Sequence, residues 1–177
     1  MTGRGLPAFI DPFRLAAAGG RLNGRLPLAI MRRLGEALLD QSGEVRVALQ
    51  FDRHQDCHGQ VVGQVEARVR MRCQRCLRPA ELELLVPVSL GVVRSESEAE
   101  RLPHELEPLL VGDDRYRLSD LVEDELLLAL PVVPMHSENA TECVPGTMEF
   151  KSEGATESGA ADTERPFDVL AALKKQQ

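Results

Sequence analysis

Three successive segments in which every second residue is apolar restrict the fold of this chain more than any other feature. They span residues 44–52, 60–72 and 80–93. A period of two places the apolar side chains of a strand on one face, so each segment is predicted to be a strand with one buried side. Short connections are typical of antiparallel neighbours, and Pro87, which has no N–H, favours an edge or a bulge in the third strand. The sequence therefore predicts an antiparallel β-meander.

Short helices are predicted on both sides of the meander. In residues 11–20, Asp11 has the position of an N-cap and Pro12 suits the first turn, while two glycines end the segment. Residues 28–41 carry leucine and methionine at helical spacing. Residues 119–130 form a third candidate helix.

The start of the third candidate helix carries a capping signal. Asp120 and Glu123 have the spacing of a capping box, and Pro131 ends the segment. Residues 94–107 are polar and predict a loop. Together the elements predict an α+β fold, an antiparallel β-meander packed with a few short helices.

Composition divides the chain into three parts. Residues 1–143 are predicted to form a single α+β core domain. Residues 144–165 are acidic and hold too little apolar surface to fold, which predicts a disordered linker. Residues 166–177 are predicted to be a short C-terminal amphipathic helix or tail. Its apolar side is formed by Phe167, Leu170 and Leu173.

Charge and aromatic content limit the classes of partner. The net charge is −7, but residues 1–80 carry +6 and residues 81–177 carry −13. With five Phe, one Tyr and no Trp, the chain has little surface on which bases could stack. The longest apolar run, residues 126–135, is too short to span a bilayer, and no secretory signal is evident. The expectation is an untargeted cytoplasmic protein with no membrane partner and no evident small-molecule substrate.

Two cysteines lie between the second and third predicted strands in the stretch RCQRCLRP. Cys73 and Cys76 at a tight turn between strands are typical of a zinc knuckle, whereas redox pairs usually begin a helix. His136 and Cys143 follow the last predicted helix and are the best candidates for the remaining ligands. The sequence predicts a Zn²⁺ site formed by these four residues and leaves unliganded buried or reduced thiols as the alternative.

Other histidines and cysteines fit a metal site less well. His54, Cys57 and His58 lie in the turn between the first two strands, which an extended strand would hold roughly 40 Å from the knuckle. A polar hairpin turn explains them. His104 is predicted to be an isolated surface histidine.

Arginines around the knuckle have two interpretations. If Arg72 lies opposite Glu81 and Arg70 opposite Glu83, cross-strand ion pairs account for part of the set. The arginines left unpaired would then form a small phosphate-binding patch able to contact nucleic acid without reading its sequence. They are Arg68, Arg75 and Arg78.

Consecutive acidic residues begin the helix at 119–130. Consecutive carboxylates on a helix point in different directions, so a solvated helix start explains them better than a metal site. They also offer an interaction surface to a basic partner. They are Glu123, Asp124 and Glu125. The chain lacks G-x-S-x-G, H-E-x-x-H and a glycine-rich phosphate loop.

Three separated stretches resemble the bacterial YceD family of large ribosomal RNA subunit accumulation proteins. They are RCQRCLRP, the run from Leu121 to His136 that contains VEDELLLALPVVPMH, and the tail PFDVLAALK. Some relatives carry further cysteines after the second stretch, in what looks like a four-cysteine metal site, whereas this sequence has His136 and Cys143 there.

The resemblance implies a cytosolic, non-enzymatic factor in ribosome biogenesis, needed for synthesis, processing or stability of 23S rRNA. Its implied partners are the large-subunit precursor, through rRNA, ribosomal proteins or both. Two other hypotheses remain open from the residues. One is a metal- or thiol-dependent enzyme centred on Cys73, Cys76, His136 and Cys143. The other is an acidic adaptor whose C-terminal helix docks into a groove.

Overall fold

A computed structural model describes residues 5–112, 115–137 and 143 of the 177-residue chain. The described residues belong to a compact unit that spans Met1–Gly146. The predictions for the linker at 144–165 and for the tail at 166–177, including Phe167, Leu170 and Leu173, lie outside the described residues.

A five-stranded sheet in the order β2-β3-β4-β5-β6 organises the structure. The first four strands are antiparallel to their neighbours, whereas β6 runs parallel to β5. The strands are β2 (Arg21–Pro27), β3 (Glu44–Asp52), β4 (Gly59–Arg72), β5 (Pro79–Val93) and β6 (Glu107–Leu110). The three predicted strands are therefore confirmed as the centre of the sheet.

Short helices and a small second sheet surround the main sheet. The helices are α1 (Pro12–Ala18), α2 (Arg32–Ala37), α3 (Glu96–Ala99) and α4 (Leu118–Ala129). The second sheet pairs β1 (Phe9–Ile10) with β7 (Tyr116–Arg117). This mixed architecture confirms the predicted α+β fold.

One face of the sheet forms the core. Burial alternates along β3, β4 and β5, and helices α1 and α4 pack on the strands. Burying these side chains is the main favourable term in the folding free energy. The largest fully buried side chains are those of Phe51, Leu28, Met31, Leu34, Leu118, Leu121 and Leu126.

Helix α1 has the predicted ends. The side chain of Asp11 accepts a hydrogen bond of 2.9 Å from the backbone N–H of Arg14, as an N-cap does. Gly19 closes the helix in the left-handed region, at φ 63°.

The predicted helix at 28–41 is wrong in length. The segment contains a 3₁₀ turn, Leu28–Ile30, and the six-residue helix α2. Leu38 has extended backbone, and the N–H of Leu39 donates to the carbonyl oxygen of Arg70 in β4. The apolar spacing therefore reports burial correctly, but pairing with β4 ends the helix early.

Several elements of the fold were not predicted from the sequence pattern. Strand β2 has a weak alternation, and the four-residue β6 lies at the end of the predicted loop at 94–107. That loop also contains α3, for which the side chain of Ser95 accepts a hydrogen bond from the N–H of Glu98. Short elements like these depend on tertiary contacts more than on local propensity.

Helix α4 begins at Leu118, before the predicted N-cap, and the capping box does not form. Among the residues that the structure describes, no side chain caps this end of the helix. Glu123 is buried instead, at 5% exposure, and Glu125 is buried at 9%. The prediction of a solvated acidic helix start is therefore wrong for these two residues. Within the described residues, no helix is long and apolar enough to cross a membrane.

Candidate metal centre

The knuckle lies at the tip of the β4–β5 hairpin. The two strands pair without interruption from Gly59 opposite Val92 to Arg72 opposite Pro79. At the tip, the N–H of Cys73 donates to the carbonyl oxygen of Arg78 at 2.9 Å. This regular hairpin directs the backbone of the turn towards the two cysteine sulfurs.

The turn itself closes on Leu77. Its N–H donates to the carbonyl oxygen of Cys73 at 2.8 Å, and its φ of 60° lies in the left-handed region. A branched side chain at such an angle is strained, since the conformation usually favours glycine. The closed turn places Cys73 and Cys76 on the same side of the hairpin tip.

The segment after α4 crosses the knuckle and supplies the other ligands. The N–H of Gln74 donates to the carbonyl oxygen of Pro134 at 2.8 Å. Nε2 of His136 lies 2.9 Å from the carbonyl oxygen of Pro79. These two hydrogen bonds hold the segment after α4 against both sides of the hairpin tip.

The structure brings the four predicted ligands together. The ligand atoms of Cys73, Cys76, His136 and Cys143 all lie within 4.8 Å of one another. The sulfurs of Cys73 and Cys143 are 3.7 Å apart, and Nδ1 of His136 is 3.5 Å from the sulfur of Cys76. Around a tetrahedral Zn²⁺, with Zn–S about 2.3 Å and Zn–N about 2.0 Å, these separations would be about 3.8 Å and about 3.5 Å. These two separations therefore fit a tetrahedral Zn²⁺ ion.

The histidine is oriented for ligation through Nδ1. Because a carbonyl oxygen only accepts, Nε2 of His136 carries the proton that it shares with Pro79. In the neutral ring this leaves a lone pair on Nδ1, which faces Cys76. A backbone carbonyl that holds the outer nitrogen in this way is typical of metal-binding histidines.

The backbone of the knuckle favours thiolates. Burial raises the pKa of Cys73, but hydrogen bonds from the backbone of Cys76, His136 and Arg75 outweigh burial and bring the pKa to about 5. For Cys76, burial again opposes ionisation, yet the backbone of Arg78 contributes to a pKa below the usual value. Thiolates are the form in which cysteine binds a metal.

Cys143 differs from the other two cysteines. Burial raises its pKa above the usual value, although its hydrogen bond with Arg75 acts in the opposite direction. Nε of Arg75 donates to the sulfur of Cys143 at 3.0 Å, and this bond raises the pKa of the guanidinium. Three thiolates around a divalent ion would leave one negative charge, which the adjacent guanidinium balances.

Two corrections follow for the predicted phosphate-binding patch. The register of the hairpin is two residues away from the predicted one, so Arg68 lies opposite Glu83 and pairs with it at 2.7 Å. Arg75 faces the cysteine cluster, and Arg78 also has an interaction partner. The prediction that Arg68, Arg75 and Arg78 are unpaired is therefore wrong.

The acidic residues of α4 also differ from their predicted roles. Oε1 of Glu123 accepts the N–H of Leu34 at 3.0 Å, and Oε2 accepts from the guanidinium of Arg33. Glu123 thus caps α2 from a neighbouring helix, which a search for local capping patterns does not detect. Asp124 is part-exposed and pairs with Arg33 at 2.7 Å.

The remaining candidate ligands lie elsewhere. His58 contacts Glu98 at 3.2 Å, and the thiol of Cys57 donates to the carbonyl oxygen of Gly59. Within the described part of the chain, no group of metal-binding side chains includes them, His54 or His104. A polar turn at 53–58 agrees with these contacts.

Sequence comparison places these features in a family. Residues 61–174, more than half of the chain, match the family described as large ribosomal RNA subunit accumulation protein YceD. A curated relative, the large ribosomal RNA subunit accumulation protein YceD of Haemophilus influenzae, is 32% identical over 174 residues, or 97% of each chain. No solved structure matches this chain. The resemblance seen in the knuckle and in α4 is therefore confirmed, and the chain belongs to the YceD family.

Proposed function

We propose that this protein is a non-enzymatic factor that supports accumulation of the large-subunit rRNA in the cytoplasm of a bacterium. Membership in a family named for large ribosomal RNA subunit accumulation carries the proposal. The uneven charge of the chain, with its acidic C-terminal part, suits contact with basic ribosomal proteins of the large-subunit precursor.

The cysteine cluster is proposed to bind Zn²⁺ in a structural role. Three sulfurs and one imidazole nitrogen form a set that zinc prefers, and their separations suit a tetrahedral ion. The cluster joins the hairpin tip to the segment after α4, so a bound ion would connect parts of the chain some sixty residues apart.

The same geometry favours a structural site over a catalytic one. A catalytic zinc usually has three protein ligands and keeps a fourth position for water or substrate. Here four protein ligands are available, Cys73 is fully buried, and Cys143 is 8% exposed. This argues against the hypothesis of a metal- or thiol-dependent enzyme.

Depletion of the protein from its host tests the role. We expect a lower ratio of 23S to 16S rRNA and fewer large subunits in sucrose gradients, both restored by the unaltered chain. A Cys73→Ser/Cys76→Ser chain should restore neither, whereas the matched Cys57→Ser control should restore both. Normal 23S rRNA and normal subunit profiles after depletion would contradict the proposal.

A further inference from the structure

Among the described residues, most of one side of β5 in the β4–β5 hairpin has no neighbouring strand. Along its whole length β5 pairs with β4, but β6 pairs only with Leu90–Val93. The part of β5 from Pro79 to Ser89 therefore forms an edge of the sheet. An edge of this kind presents unpaired backbone donors and acceptors to a partner.

The hydrogen-bond pattern shows which residues face the edge. The carbonyl oxygens of Arg78 and Val92 accept from the β4 side, whereas those of Pro79 and Val93 accept from His136 and Val111 on the other side. The pairing of β5 with β4 contains no break between these points. The backbone N–H and C=O groups of successive residues in a strand point to opposite sides. The odd-numbered residues of β5 therefore direct these groups to the edge.

Both ends of this edge are less able to pair with another strand. At one end, Nε2 of His136 is hydrogen-bonded to the carbonyl oxygen of Pro79. At the other end, Pro87 has no N–H to donate, and the hydroxyl of Ser89 donates to the carbonyl oxygen of Glu105. Between these ends, three residues keep backbone groups that have no hydrogen-bond partner among the described residues. They are Glu81, Glu83 and Leu85.

We propose that this edge, Glu81–Leu85, binds an extended, lysine- or arginine-rich segment of another protein by strand addition. The carboxylates of Glu81 and Glu83 lie on the exposed face, where they would meet every second side chain of an added strand. Glu83 already pairs with Arg68 of β4 at 2.7 Å, and both side chains of this pair are largely exposed, so a cation on the other side of Glu83 would extend an exposed ion pair. On the other face, Leu82 is half-buried and Leu84 is 9% exposed, so they offer apolar contacts. The edge therefore suits a segment in which basic and apolar residues alternate.

A second copy of this chain is a poorer occupant. Antiparallel pairing of two such edges around a two-fold axis centred on Glu83 would place that carboxylate opposite its own copy. Like charges directly opposite each other destabilise a strand pair. Pro79 and Pro87 further shorten the edge that two copies could share. The charge pattern thus opposes self-pairing and favours a basic partner, and the inference does not depend on the proposed role in rRNA accumulation.

Binding of a fluorescein-labelled peptide to the full chain tests the proposal. The probe has seven residues of alternating lysine and valine, and a control peptide of the same sequence carries a methyl group on every backbone amide nitrogen, which removes its N–H donors and keeps its charge. Fluorescence anisotropy measures affinity, and amide hydrogen exchange by NMR locates the contact. We expect the amides of Glu81, Glu83 and Leu85 to become protected by at least tenfold, and the N-methylated peptide to bind at least tenfold more weakly.

Two variants separate backbone pairing from charge. Leu85→Pro removes an N–H that faces the edge and keeps the bonds to β4. It should therefore weaken peptide binding at least tenfold. The control Leu85→Ala should change peptide binding less than threefold. Glu81→Lys/Glu83→Lys should also weaken binding at least tenfold. Its control, Glu96→Lys/Glu100→Lys, alters the net charge equally at the two ends of α3 and should change binding less than threefold.

The hydrogen-exchange measurement uses the unaltered protein, so it decides the proposal even if a variant does not fold. Unchanged exchange at Glu81, Glu83 and Leu85 with saturating peptide would overturn it. Equal binding of the N-methylated peptide would do the same. Protection that rises with protein concentration without any peptide would assign the edge to a second copy instead.

Discussion

Arg75 is exposed, yet its side chain takes part in the cysteine cluster. Its guanidinium is bonded to the sulfur of Cys143, where it balances charge at the cluster. We expect Arg75→Ala to lower the affinity for Zn²⁺ about 10- to 100-fold, the usual effect of removing a group that holds a ligand. Competition with a chromogenic chelator measures the affinity. Arg72→Ala is the matched control, because Arg72 is exposed and has no ion pair among the described residues; equal affinities in the two variants would contradict the prediction.

Glu125 is a second residue whose environment has a measurable consequence. Burial raises its pKa, and the nearby charges of Glu107 and Asp124 act in the same direction. The folded state therefore holds this proton more tightly than the unfolded state, so ionisation of Glu125 destabilises the fold above its folded pKa. Glu125→Gln should raise the free energy of unfolding at pH 7, because the amide does not ionise. This gain in stability should disappear as the pH falls below the pKa of Glu125 in the unfolded state, where the carboxyl is protonated in both the folded and the unfolded protein.

Urea unfolding at several pH values checks this sign. Asp124→Asn is a useful comparison, since Asp124 is part-exposed and pairs with Arg33. It should leave stability unchanged or slightly lower at pH 7. A gain from Glu125→Gln that is the same at every pH would show that ionisation is not its cause.

At the scale of elements, Glu123 joins two helices that are too short to be stable alone. One carboxylate oxygen accepts the N–H of Leu34 and the other accepts the guanidinium of Arg33. Hydrogen bonds to a buried charge contribute about 1.5–3 kcal/mol each. Glu123→Gln should therefore lower the free energy of unfolding by about 2 kcal/mol, measured by urea denaturation. Loss of the exposed Arg33–Asp124 pair in Asp124→Asn should cost at most about 1 kcal/mol; a larger loss there than in Glu123→Gln would refute this account.

For the whole molecule, what could be predicted depended on whether a signal was periodic. The strands at the centre of the sheet alternate over nine or more residues, so their apolar faces were evident. The register of the β4–β5 hairpin was not evident from the sequence, because a shift of two residues keeps every side chain on the same face. Cysteine spacing and the position of His136 predicted the cluster, whereas the roles of Arg75 and Glu123 depend on contacts across 68 and 89 or 90 residues. Such contacts leave no local pattern in a sequence.

The cluster connects the sheet to the segment after α4, so metal binding should stabilise the whole fold rather than only the hairpin tip. An ion that binds the folded state alone adds about 2.7 kcal/mol when its free concentration is 100 times its Kd. We expect the Tm to rise with buffered Zn²⁺ and to fall again with a chelator. Cys73→Ser/Cys76→Ser should make the Tm independent of zinc, while Cys57→Ser, whose thiol bonds to Gly59, should keep the full dependence. If the unaltered protein and the double variant respond equally to zinc, the ion binds elsewhere.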